Sequence, residues 1–155
     1  NLEIYKNRLN FLKDFCSKYK GIDVYGRGTA NIVGECHRGE LNYNGNCKFR
    51  GHLDYEYSIV LENILDPNTW TEKPSDSFLA WSLPIYSGDS TFDKFFPKES
   101  FHQIDVKNYN LDEIIQFISE PPTKIQIEAL KEARNLLLYK WNIWPTIKQI
   151  VDKVV

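Results

Sequence analysis

Apolar residues at Leu2, Tyr5, Leu9, Leu12, Cys16 and Tyr19 recur at three- and four-residue steps. That spacing predicts an amphipathic helix over about 2–19, ending before Lys20-Gly21. Ile22-Asp23-Val24-Tyr25 then reads as a short strand, closed by Gly26-Arg27-Gly28, a turn that favours unusual backbone angles and close approach of a ligand. From Thr29 to Asp54 no period persists, so this stretch is expected to be mostly loop, and a loop of that length is often functional. Tyr57-Ser58-Ile59-Val60-Leu61 is a nearly continuous apolar run, as in a parallel strand covered on both faces. After the turn Asp66-Pro67-Asn68, Thr71 is placed to cap a helix reaching about Trp81. Pro74 is tolerated in its first turn because the early amides have no intrahelical acceptor. Leu83-Pro84-Ile85-Tyr86 and Phe101-His102-Gln103-Ile104 read as further strands, and Leu111 to Ile118 as a short helix. Pro121-Pro122 breaks the pattern before two helices, over about 124–139 and 145–154. Ile147, Ile150, Val151 and Val154 form the apolar stripe of the second.

Strands alternating with helices predict an α/β fold with a parallel sheet. The chain has 155 residues, 42% of them hydrophobic and 26% charged, which fits one ordinary core. We therefore expect a single domain over 1–155, with the helices of 120–155 packing on it. Aromatic residues make up 14% of the chain, more than a minimal core needs, so some rings are expected to line a cleft or an interface.

Lys and Arg together number 19 against 21 Asp and Glu, a balance that gives no broad basic field for a nucleic-acid backbone. Any phosphate site must be local. The three cysteines, Cys16, Cys36 and Cys47, are odd in number and lack paired spacing, which fits a reducing compartment. Cys36-His37 with Cys47 and His52 matches no familiar zinc pattern, and no metal is expected. No stretch reaches the roughly 18 apolar residues of a membrane span, and no leader opens the chain. The expectation is a soluble protein, cytoplasmic or peripheral to a membrane. A start at Asn1 and the lack of Met point to a longer native polypeptide.

The segment from Tyr55 to Gly88 carries the candidate chemistry, because an open α/β sheet collects ligands beyond the carboxyl ends of its strands. Glu62-Asn63 follows one strand, Thr71-Glu72-Lys73 opens a helix whose amides and dipole favour an anion, and Tyr86-Ser87-Gly88 follows the next strand. A diphosphate fits among them, with Lys73 as a point charge and Glu72 accepting from ribose hydroxyls. Each piece also has a plainer meaning: Thr71-Glu72 as a helix cap, Glu62-Asn63 as the start of a turn, Arg8 as a solvated charge.

At these residues the chain resembles the donor domain of the α-1,3-fucosyltransferases. Leu61-Glu62-Asn63, Trp70-Thr71-Glu72-Lys73 and Pro84-Ile85-Tyr86-Ser87-Gly88 match that family's motifs in order and at similar spacing. Phe95-Phe96-Pro97-Lys98-Glu99-Ser100-Phe101 with Asp105 resembles its following stretch, Arg8 with Phe11 its Arg-bearing first helix, and Asp23-Val24-Tyr25-Gly26 its "D-V-Y-G" strand. The likeness spans roughly Tyr5 to Ile118.

The resemblance implies a Rossmann-like three-layer domain, the second half of a GT-B glycosyltransferase, binding GDP-fucose and transferring fucose to a glycan acceptor with inversion and without a required metal. It implies that Arg8 and Lys73 neutralise the departing diphosphate, that Glu72 and Asn63 fix ribose and phosphates beside Thr71, that Glu62 lies near the sugar, and that Tyr25, Gly26 and Arg27 flank the guanine. It places the general base in a preceding acceptor domain, so no catalytic base is expected here and no transfer by this chain alone. Ser87 stands where the family has Trp, and Pro74 where it has an apolar residue. These departures keep open another nucleotide sugar, and a non-catalytic nucleotide-binding or interaction module remains the alternative.

Overall fold

The computed structural model describes residues 2–41 and 47–154. A three-stranded parallel sheet in the order β1-β2-β3 forms its centre, from Tyr57–Leu61 (β1), Leu83–Ser87 (β2) and His102–Gln103 (β3). Helix α1 (Leu2–Lys18) precedes the sheet, together with the short helices α2 (Ala30–Val33) and α3 (Cys47–Arg50). Helix α4 (Glu72–Leu79) connects β1 to β2, and α5 (Leu111–Ile118), α6 (Lys124–Leu136) and α7 (Ile143–Val154) follow β3.

Helices cover both faces of the sheet, which explains why β1 and β2 lack a polar face. On one side Phe11 and Phe15 of α1 and Ile114 of α5 pack with Leu61 and Ile85. On the other, Phe78 of α4 and Leu130 and Ala133 of α6 pack with Val60, Tyr86 and the aromatic turn around Phe92. This is the expected three-layer, Rossmann-like α/β arrangement. The third small cluster, Cys16, Val33 and Cys36, pins α2 beneath α1. Burial pushes the Cys16 thiol up to about 12, so it acts as packing rather than as a nucleophile.

The caps follow the sequence closely. Thr71 accepts from the Lys73 amide at the start of α4, and Asn110 accepts from two amides at the start of α5. Thr123 and Gln126 form a reciprocal capping box on α6. Pro74 is the third residue of α4, where its missing N–H costs nothing.

Several expected elements differ. Ile22–Tyr25 is not a strand of the sheet: Val24 makes a single parallel bridge to His37, donating to the Cys36 carbonyl (2.8 Å) and accepting from the Arg38 amide (2.9 Å). The backbone of Val24 is satisfied by the 36–38 segment rather than by the sheet, and Gly26, at φ 148°, donates to the Gly39 carbonyl. The 29–54 stretch is partly helical, in turns too short for periodicity to reveal. Helix α4 stops at Leu79, two residues before Trp81 takes a positive φ of 62°. The strand expected over 101–104 pairs only at His102–Gln103.

Helix α6 ends at Leu136 in a wide turn over Leu137–Trp141, and α7 begins at Ile143, so that Pro145 lies within its first turn. The terminal helices diverge in role. Helix α6 packs on the core, whereas Ile143, Trp144, Ile147, Ile150 and Val151 of α7 are exposed. Among the described residues no helix is long and apolar enough to cross a membrane.

Candidate functional site

Glu62, the first residue after β1, is 1% exposed and organises the site from beneath. Its Oε1 accepts from the Thr71 amide (2.8 Å), the Thr71 hydroxyl lies 2.7 Å from Oε2, and the Lys73 ammonium donates to Oε2 (3.2 Å). A buried carboxylate survives only with such partners. Together they fasten the amino terminus of α4 to the carboxyl end of β1. Gly88 closes the same corner: a Cβ there would overlap the Tyr86 hydroxyl and crowd Glu62 Cγ.

Arg8, from the first half of α1, reaches the same end of the sheet and donates from its guanidinium to Asn63 Oδ1. Its Nε is buried without a hydrogen-bond partner, and burial lowers its pKa against the raising influence of Glu62. A half-buried guanidinium with an unused donor is prepared for an anion.

Arg8, Lys48 and Lys73 line one cavity of about 700 Å³ between α1, the free edge of β1 and the 21–25 segment. That volume is in the range of small-molecule sites. Lys48, on α3, is held by Asp76 (2.5 Å) and Glu72 (3.2 Å) of α4, and Lys73 also lies 4.0 Å from Glu72. Burial lowers the Lys48 pKa, but the two carboxylates overcome this and raise it. Glu72 is held below the usual carboxylate range, first by a backbone hydrogen bond and then by Lys48 and Lys73. His52 stands beside them, its Nδ1 2.8 Å from Ser58 Oγ, which in turn lies 2.6 Å from Ser82 Oγ.

At the opposite end, the Tyr25 and Tyr55 hydroxyls meet at 2.9 Å, and Tyr55 donates to Asp23 (2.7 Å), which pairs with Arg38 (2.5 Å). The Tyr55 hydrogen bond, ahead of Arg38, holds Asp23 below its ordinary value. The cavity thus has a cationic end at α4 and a phenolic, carboxylate end at Tyr25.

Of the residues expected from sequence, Arg8, Asn63, Glu62, Thr71, Glu72 and Lys73 are brought together, and Tyr25 lines the same cavity. Gly26 and Arg27 do not line it, and neither do Glu62, Asn63, Thr71 and Glu72, which lie beside Arg8 and Lys73 outside its wall; Arg27 is paired with Glu40 through two 3.0 Å contacts. Sequence reasoning gave no role to Lys48 or Tyr55, and considered His52 only as a metal ligand that it did not expect. They lie in or beside the stretch without periodicity, where no motif marked them. His37 instead pairs with Thr29 (3.0 Å), and Cys36 lies under α1. Of the Cys47 side chain nothing is described. Among the described residues no His, Cys, Asp and Glu group is arranged to hold a metal ion.

Burial lowers the pKa of both His52 and His102, the latter stacked on Phe117 at 4.1 Å. The unfolded chain therefore binds protons that the folded chain refuses once the pH falls below the ordinary 6.5. Stability should be fully present above that value and decline as pH falls. Thermal unfolding at about pH 7.5 and about pH 5.5 is expected to give the lower midpoint at the lower pH. His52→Asn and His102→Asn should each reduce the difference.

The sequence profile of the glycosyltransferase family 10 (fucosyltransferase) C-terminal part matches residues 1–124. The chain is also 32% identical over 99 residues to a provisionally named fucosyltransferase of Acanthamoeba polyphaga mimivirus, a match covering 61% of this chain and 16% of that protein. The chain therefore aligns with a small fraction of that relative's length. No solved structure matches the chain significantly.

Proposed function

The chain belongs to glycosyltransferase family 10, the fucosyltransferases, through the C-terminal part of that family, and from this premise we propose that it is the donor-binding half of an inverting, GT-B α-1,3-fucosyltransferase that uses GDP-fucose. One observation carries the proposal: Arg8 and Lys73, 65 positions apart in the chain, both line one cavity that runs along β1. Diphosphate recognition needs cations so placed, and the buried Arg8 Nε has no hydrogen-bond partner.

In this proposal the fucosyl C1–O bond breaks as the acceptor hydroxyl attacks from the opposite face, and negative charge accumulates on the departing diphosphate. Arg8 and Lys73 stabilise that charge more strongly in the transition state than in the bound donor. Glu62 holds Lys73 and Thr71 in place from below, so its part is positioning rather than contact with the sugar. Glu72 and Asn63 bind ribose and phosphate oxygens, and the Tyr25 end takes the nucleoside. The base that deprotonates the acceptor belongs to an acceptor domain outside this chain, and side-chain cations supply the charge that some transferases take from a metal.

Calorimetric titration with GDP-fucose, GDP, UDP-galactose and ADP tests the proposal. We expect selective binding of the guanine nucleotides, weakened by about 1.5–3 kcal/mol in Arg8→Ala and in Lys73→Ala. Thermal unfolding of both variants separates loss of contact from loss of fold, since Lys73 also balances Glu62. Equal affinity for all four nucleotides, or no effect of either substitution in folded protein, overturns it. A second reading, an interaction module, rests on the exposed apolar stripe of α7. It gains if no nucleotide binds.

A further inference from the structure

Glu72 and Asp76 stand one helical turn apart on the same side of α4, and Lys48 of α3 meets both, at 3.2 Å from Glu72 Oε1 and 2.5 Å from Asp76 Oδ2. The Glu72 oxygen that Lys48 holds is also the one 4.0 Å from the Lys73 ammonium. Two cations from separate segments therefore face one carboxylate oxygen, and the nearer is Lys48. Lys48 and Lys73 both line the cavity, whereas Glu72 lies outside its wall.

A lysine ammonium has three protons to donate. In Lys73, Glu62 Oε2 takes one at 3.2 Å and the Thr71 hydroxyl another at 3.0 Å, which leaves one for a ligand. At 4.0 Å, Glu72 is about 1 Å short of a charge-assisted hydrogen bond to that ammonium. Its side chain is 60% exposed, so a small rotation closes the gap unless something holds it. Lys73 would then carry two carboxylates, with its last proton engaged and its charge offset before a diphosphate arrived. Lys48 competes for the same Glu72 oxygen and prevents this. An exposed ion pair is ordinarily weak because two long side chains must be ordered to make it. Here Asp76, whose side chain is 18% exposed, already fixes the Lys48 ammonium and presents it to Glu72.

We propose that Lys48 is a positioning residue of the donor site: it holds Glu72 away from Lys73 and so keeps an ammonium proton of Lys73 free for the diphosphate. The proposal rests on the donor-site reading above and gives a role to a residue that neither the sequence motifs nor the family match marks. Lys48 acts through Glu72 rather than by touching the nucleotide. Asp76 is its anchor, and the lysine's removal matters to the ligand only while Glu72 is there to take Lys73.

Calorimetric titration with GDP tests this as a double-mutant cycle. Lys48→Met is expected to weaken GDP binding about three- to tenfold, the range of one hydrogen bond, and Lys48→Arg to keep it. In a Glu72→Gln background, where no carboxylate competes for Lys73, the same Lys48→Met change should cost less than about twofold. Asp76→Asn leaves Lys48 on Glu72 and should bind GDP like the unsubstituted protein. Thermal unfolding establishes that each variant is folded at the temperature of titration. Should Lys48→Met alone unfold, combining it with Asp76→Asn removes both partners of that pair, and the same comparison is made against Asp76→Asn. Full affinity in folded Lys48→Met, or a loss of equal size with and without Glu72→Gln, overturns the inference and leaves the donor reading standing. A loss in Asp76→Asn as large as that in Lys48→Met does the same, because it makes Lys48 a clamp on the fold. No binding of GDP by the unsubstituted protein overturns both.

Discussion

Glu62→Gln is expected to destabilise the fold by about 3 kcal/mol and to lower the thermal midpoint by roughly 6–12 °C. The carboxylate is 1% exposed and takes the Thr71 amide, the Thr71 hydroxyl and the Lys73 ammonium together. Glutamine keeps the shape and one oxygen acceptor. Its amide nitrogen, however, must face either the Thr71 amide or the Lys73 ammonium, both donors, and Lys73 loses its buried counter-charge. Breaking a buried pair from one side costs about 3–5 kcal/mol, and the lower end applies because Lys73 retains 24% of its side-chain exposure. The amino terminus of α4 should loosen with it. Protection of the early α4 amides from hydrogen exchange is expected to fall more than that of α6, which does not contact Glu62. A loss under about 1 kcal/mol would mean that Glu62 is a spectator and that Thr71 caps the helix without it.

Glu62 also shows where the sequence stops being informative. The motif residues Glu62, Asn63, Thr71, Glu72 and Lys73 were legible because they follow strand ends and open a helix, positions that local rules identify. Their direction was not legible. Glu62 reads equally well as a group near the sugar or as the start of a turn, and its burial beneath Lys73 is a tertiary fact. Arg8 was legible through the family motif alone, since a charge on an amphipathic helix is ordinarily solvated. Its unpartnered Nε and its bond to Asn63, 55 positions on, are tertiary facts.

The layers followed from alternation of strand and helix patterns, and α5 matches its expected bounds at Leu111–Ile118 because its stripe is strong and Asn110 caps it. Ile22–Tyr25 failed for a physical reason. Its β-branched residues suit a strand, but the backbone bonds of Val24 go to Cys36 and Arg38, a pairing of distant segments that no local pattern encodes. Lys48 and His52 were hidden likewise, in turns too short for a pattern to repeat.

Phe92→Ala is expected to cost about 3–5 kcal/mol, the largest effect of any single substitution considered. Phe92 has no exposed surface, and it stacks on Tyr86 at 4.3 Å while touching Phe96 and Phe101 at 4.8 and 4.9 Å and Trp70 at 6.0 Å. Rings of this size leave a void that stacked, mutually fixed neighbours cannot fill by relaxing, so the cavity adds to the lost transfer energy. Trp144→Ala is the contrast. That ring is larger but 76% exposed on α7, and its removal should change stability by less than about 0.5 kcal/mol. Denaturant unfolding of both variants measures the difference. The Phe92 cluster also bears on the site, because Trp70 leads directly into Thr71, and Tyr86 lies under Gly88 with its hydroxyl accepting from the Asp89 amide (3.1 Å). Loss of Phe92 should therefore weaken nucleotide binding even at temperatures where the variant stays folded, while Trp144→Ala leaves it unchanged. Full affinity in folded Phe92→Ala would separate the aromatic layer from the cavity and leave Glu62 as the support of α4.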